Sequence, residues 1–142
     1  MAMGSQRAQR LGFAMKGHDA STSISARMPV YYHRLYTDGI HVDARFPRDR
    51  YRRLSRRLNA GLASTLIRVE TAPRATRQEL LLAHDADYVD RFLAGELHGK
   101  EVRRIGLRPW TPLLVPRTLH IVGGALAALR DALLTGGLAG NM

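Results

Sequence analysis

The stretch ARFPRDRYRRLSRRLNAG, residues 44–61, carries seven arginines between Arg45 and Arg57 against one acid, Asp49. Guanidinium groups at that density can neutralise and hydrogen-bond phosphates, so the first chemistry it suggests is binding to nucleic acid or another polyanion. Such grips usually add aromatic stacking positions or a helix-turn-helix partner, and neither lies nearby in the sequence. His84 is a second candidate, as a metal ligand. No second histidine or carboxylate stands at ligand spacing on a shared helix face, which favours a structural, hydrogen-bonded histidine. The Gly123-Gly124 pair is a third. It lies inside apolar periodicity rather than between a strand and a helix, so it fits close backbone packing better than a phosphate loop. There is no Walker-type loop, no Gly-x-Ser-x-Gly elbow, no His-Glu-x-x-His and no carboxylate pair at catalytic spacing. The chain has no cysteine, hence no thiolate nucleophile, disulfide or cysteine-based zinc site.

These residues need elements to hold them. PVYYHRLY, bounded by Pro29 and by Asp38-Gly39, predicts a strand over residues 30–35, the one clear strand of the chain. The arginine stretch predicts a helix with Pro47 in its first turn and Gly61 as its stop. Tyr51, Leu54 and Leu58 form its apolar stripe, and most of its arginines face water. Thr76 with Glu79 reads as a capping box, and Asp85 caps a following helix that Gly95 closes. Thr111 and Pro112 open a long apolar helix that runs to Gly136-Gly137, with Pro116 able to tighten or kink its start.

Length fits one domain or part of one: 142 residues, 45% hydrophobic and 24% charged. Net charge is +10, carried by arginine, since only Lys16 and Lys100 of the 22 basic residues are lysine. Charge alone supports association with anions, not a function. The longest charge-free apolar run, Thr118–Leu129, falls well short of the roughly 20 residues a membrane helix needs. With no cysteine, the cytoplasm is the default compartment. Residues 1–27 hold few large apolar side chains and are expected to be a disordered extension. Their arginines, serines and lone acid Asp19 match a transit-peptide composition, and a start codon assigned upstream of a natural start at Met28 is the preferred reading. The domain is expected over residues 28–142.

Taken in order, ARFPRDRYRRL, ATRQELLLAHDADYVDRFLAGEL, EVRRIGL with PWTP, and VGGALAALRDALLTGGLAGNM resemble the start of the zinc-dependent histone deacetylase family, closest to its bacterial and class IV branch. The resemblance spans residues 29–142 in collinear order. It implies an α/β fold, the N-terminal third of the three-layer α/β/α arginase/deacetylase architecture, mostly helical in this portion. It also implies hydrolysis of acetyl-lysine or of small acetylated amines by the whole enzyme. In the family, the segment resembling GLAGNM leads into a turn with two acid-base histidines, and the zinc ligands and catalytic tyrosine lie further on. Zinc therefore belongs to the full-length family, and residues 1–142 alone are expected to be inactive and to bind none. The resemblance places Arg52 at an inner-channel arginine associated with acetate handling, a role that paired guanidinium hydrogen bonds suit. It places Phe46, Tyr51 and Trp110 at the pocket rim or its loops, although a lone tryptophan beside a helix start is more often a packing residue. Two departures stand out: Arg50 replaces a frequent lysine, and Arg108 is an extra residue before Pro109-Trp110. The competing reading is a stand-alone basic module that binds nucleic acid or another polyanion through the Arg45–Arg57 helix.

Overall fold

A computed structural model describes residues 27–142, so the expectations for residues 1–26 lie outside the described residues. The fold is mixed α/β. Three parallel strands, β1 (Met28–Tyr32), β2 (Ile67–Thr71) and β3 (Gly140–Asn141), form a sheet in the order β2-β1-β3. Val30 is the hinge of the register, opposite Val69 on one side and Gly140 on the other. Parallel neighbours need long crossovers. The first contains α1 (Leu35–Asp38), α2 (Arg50–Leu58) and α3 (Ala63–Leu66); the second contains α4 (Arg77–Leu81), α5 (Ala86–Ala94), α6 (Gly99–Ile105) and α7 (Leu114–Thr135).

Several boundaries differ from the sequence reading. The first strand occupies Met28–Tyr32 rather than 30–35, because the chain turns at His33-Arg34 into α1. It is one of three strands among the described residues. β2 is the alternating segment IRVET, whereas β3 has little strand propensity and is held by its neighbours: Met142 N–H donates to Tyr31 O at 3.1 Å, and Asn141 Nδ2 to Ile121 O at 3.0 Å. The arginine helix starts at Arg50, with Pro47 in the preceding turn, and ends at Leu58 rather than Gly61. Arg45 and Arg48 therefore lie outside it. Its stripe is only partly covered, with Tyr51 buried but Leu54 exposed at 43%. His84 is exposed, its ring 5.9 Å from that of Tyr88 between centroids. α7 begins at Leu114. Thr111 does not cap it with its side chain, which donates instead to Gly39 O at 3.1 Å, while Leu114 N–H donates to the Thr111 carbonyl. Pro116 falls in the first turn of α7, where an N–H has no helical partner to lose.

Other local signals match. The Thr76/Glu79 capping box is formed, the Asp85 side chain accepts from Asp87 N–H at 2.9 Å, and Gly95 and Gly136 close α5 and α7 in the left-handed region at φ 76° and 64°. α6, absent from the sequence reading, is tied to α5 by a bidentate pair from Arg91 to Glu101 at 2.6 and 3.1 Å. Ala75, Leu80, Val89 and Leu119 form one apolar core between α4, α5 and α7. Tyr36, Tyr51 and Ala72 centre a second, beside the sheet. Among the described residues, no helix is long and apolar enough to cross a membrane.

Glu79 ties this scaffold together electrostatically. The Thr76 backbone N–H first, then the Arg130 guanidinium, hold its carboxyl down to about 2 from an ordinary 4.5. A depressed carboxyl contributes stability that is complete above the unfolded value and is lost as pH falls through the folded one. Glu79→Gln is therefore expected to flatten the loss of stability between pH 4.5 and about 2, read from denaturant midpoints across that range. Glu101, held down to about 2 chiefly by Arg91, and Asp90, lowered chiefly by its bond from Arg77, leave a residual slope in that variant.

Candidate functional site

The arginine-rich loop and the start of α2 converge on an aromatic cluster. Tyr36 is fully buried, and its ring meets Tyr32 and Tyr51 edge-on at 5.7 and 5.6 Å between centroids. Phe46 lies 6.1 Å from Tyr51, nearly parallel to it. The Tyr36 hydroxyl is 2.7 Å from Asn141 Oδ1 and 2.9 Å from His120 O, so a single proton is shared between α7 and β3. Burial pushes this phenol up to about 12. It is a structural donor, not a base at neutral pH.

Two guanidinium groups address the same rings. Arg50 Cζ stands 4.5 Å from the Phe46 centroid and 4.7 Å from that of Tyr51, and Arg50 Nη2 donates to the Tyr51 hydroxyl at 2.9 Å. Arg117, from α7, is only 5% exposed, lies 6.0 Å from both centroids, and donates Nε–H to Tyr36 O at 3.2 Å. Burial lowers its pKa, yet an arginine remains charged. Among the described residues no carboxylate pairs with it, so aromatic faces and a carbonyl do the compensating. Gly39 makes this possible: a Cβ there would lie 2.5 Å from Arg117 Cβ and 2.8 Å from its Cδ. The Asp38-Gly39 pair thus serves the passage of an arginine stem, with Gly39 at an ordinary φ of −74°.

Phe46 and Tyr51 are brought together, but Arg52 is not with them. Its side chain is 47% exposed and donates to Asp49 Oδ1 at 2.6 Å, while Arg50 takes the place on the rings. Trp110 packs edge-on against Phe92 at 6.4 Å and borders a different hollow, with Arg74, Leu93 and Pro112. Phe46 separates two shallow clefts. One, of about 340 Å³, is lined by Pro47, Arg48, Asp49, Arg50 and Arg53. The other sets Asp43 and Arg45 opposite Arg103 and Arg108. Arg117 and Arg103 were not singled out from the sequence. The one available signal for Arg117 was a charge in the mostly apolar first half of α7.

This arrangement can hold anions and planar groups. It offers no nucleophile beside a base. Among the described residues no group of three or more histidine, aspartate or glutamate side chains is gathered to hold a metal, so they do not fit a zinc site by themselves. No protein-family model matches the chain. An uncharacterized protein of Picosynechococcus sp. is 38% identical over 105 residues, a match covering 74% of this chain and 35% of the relative's length.

Proposed function

We propose that this chain is the N-terminal portion of a zinc-dependent deacetylase acting on acetyl-lysine or a related acetylated amine, with zinc and the acid-base histidines supplied by polypeptide outside residues 1–142. In this reading the sheet is the beginning of the three-layer α/β/α arginase/deacetylase fold, and the whole enzyme works in the cytoplasm on an acetylated protein or small amine. The observation that carries it is an all-parallel sheet beside an uncovered apolar surface. Leu129, Leu133, Leu134 and Leu138, at and after the end of α7, are 55, 75, 85 and 78% exposed. Parallel sheets are normally buried on both faces, and apolar surface of this kind is normally covered by more protein. A relative of which the match is only 35% is consistent with such a larger whole. Zinc, when bound by that whole, would acidify a water and polarise the amide carbonyl. The residues described here would supply scaffold and the arginine-aromatic cluster.

The test is to read the gene beyond codon 142, express the extended chain, and assay acetate release from an acetyl-lysine peptide and an acetylated polyamine. The expected result is activity that chelation abolishes and that residues 1–142 lack. An extended chain that is inert toward both, or indifferent to chelation, overturns the proposal.

A second reading, polyanion binding, is favoured by the two clefts, where Arg45, Arg103 and Arg108 flank Phe46 on one side and Arg48, Arg50 and Arg53 on the other. It predicts that log affinity for single-stranded oligonucleotide falls with log salt with a slope of roughly −2 to −3, each phosphate contact contributing about 0.7. The double variant Arg103→Ala/Arg108→Ala is expected to reduce that slope by about 1.4. A salt-independent affinity excludes this reading.

A further inference from the structure

The turn between β1 and α1 meets α7 through two imidazoles. The rings of His33 and His120 lie 3.7 Å apart between centroids with planes 1° from parallel. Each Nδ1 is tied to a backbone group, and the two ties have opposite polarity. Leu35 N–H donates to His33 Nδ1 at 3.2 Å, so that nitrogen carries no proton and the neutral ring holds its proton on Nε2. His120 Nδ1 is 2.8 Å from Ala72 O, and because a carbonyl can only accept, His120 Nδ1 carries a proton.

We propose that His33 and His120 form an acid-sensitive latch between the β1–α1 turn and α7, closed while His33 Nδ1 accepts from Leu35 N–H and opened when a proton occupies that nitrogen. A proton on His33 has only Nδ1 to go to. It removes the acceptor of Leu35 N–H and places a positive charge against the stacked His120 ring.

The surroundings add little to offset it. Arg34, next in sequence, opposes a charge on His33; Asp38 of α1 favours one; α7 presents His120 itself. The segment after β2 presents the Ala72 carbonyl, and the Tyr36 hydroxyl is occupied by the His120 carbonyl and Asn141. Burial first, then His120, then Arg34, holds His33 below the ordinary imidazole value. A histidine so depressed contributes stability that is complete above its unfolded value and is lost as pH falls through the folded one.

Opening has a defined mechanical output. α1 carries Tyr36, bonded to His120 O and Asn141, and Thr37, which donates to Arg48 O at 3.0 Å. Releasing its first turn loosens β3 on one side and the loop bearing Arg48 and Arg50 on the other. The inference stands on these contacts and does not depend on the deacetylase reading.

The experiment is a pH titration of the full chain, isotopically labelled, following imidazole and Tyr36 ring resonances by NMR from neutral to acid pH. Wild type is expected to show His33 titrating below free imidazole, with the His33–His120 ring contact and the Tyr36 shifts changing at that same midpoint. His33→Asn places an amide oxygen where Nδ1 stood, still able to accept from Leu35 N–H but unable to titrate; the Tyr36 transition is expected to disappear. His120→Gln is expected to move the His33 midpoint upward. The latch is overturned by His33 titrating as a free imidazole in wild type, by Tyr36 shifts that do not follow His33, or by an unchanged acid transition in His33→Asn. Should a variant lose the native Tyr36 signals at neutral pH, the wild-type coupling between His33 and Tyr36 decides alone.

Discussion

Gly123→Ala is expected to destabilise the chain by about 3 kcal/mol, through overpacking that the backbone cannot relieve. The added Cβ would meet the Pro73 carbonyl oxygen, and would lie 2.7 Å from Ala75 N and 2.8 Å from Arg74 C. All three belong to the main chain of the segment that leaves β2, which is itself fastened to α7. Ala75 N–H donates to Leu119 O at 2.9 Å, and the Ala72 carbonyl accepts from His120. Alanine regains about 1 kcal/mol of helix propensity over glycine, so the net effect is a contest that the clash wins. A fall in melting temperature of about 10 °C is the corresponding readout for a domain of this size. Gly99→Ala is the control: in the first turn of α6 its Cβ would find only Arg103 Nη1, at 3.5 Å, and no loss is expected.

Tyr36→Ala is expected to cost about 3–5 kcal/mol, the range for truncating a fully buried aromatic. Tyr36→Phe separates the ring from the hydroxyl. It keeps the contacts with Tyr32 and Tyr51 but leaves Asn141 Oδ1 and His120 O without their shared donor, a loss of about 1–3 kcal/mol. The phenol also supplies an alkaline signature. Its folded pKa of about 12 exceeds the ordinary 10.0, so its contribution is complete below pH 10 and is lost as pH rises toward 12. Denaturant unfolding from neutral to alkaline pH is expected to show this loss in wild type and a smaller one in Tyr36→Phe. Tyr31, whose pKa is raised chiefly by its bond to Asp131, contributes in the same direction and remains in that variant. An identical alkaline slope in both proteins would place the titrating group elsewhere.

Local chemistry was the legible part of this fold. The caps at Thr76 and Asp85 and the closures at Gly95 and Gly136 act within a few residues, and each forms where the sequence puts it. The close-packing reading of Gly123-Gly124 also holds, because a glycine pair inside an apolar helix leaves few other uses. What escaped were short elements: β2 and α6, of five and seven residues, and three shorter still that are held by contact. α1 and α3 are four residues each and β3 is two, too short for any periodicity to register. At the candidate site, Phe46 and Tyr51 were reached through the family resemblance, but the arginine beside them was not. Two residues along a helix turn a side chain by about 200°, so choosing Arg52 over Arg50 moves the guanidinium from the rings to solvent. The role of Arg117 was not legible because its company consists of residues some 65 to 80 positions away in the chain.

The sheet also sets a timetable. β1 is the central strand, yet its second neighbour, β3, is synthesised roughly 110 residues later, and at ~5–20 residues per second that delay is roughly 5–20 s. Throughout that interval a strand containing Val30, Tyr31 and Tyr32 has one edge without a partner while the ribosome is still building α7. Loop-closure entropy opposes so distant a pairing, and an open strand edge is a template for other chains. Shielding of the β1 edge until Gly140 emerges is therefore expected to raise the yield of native protein.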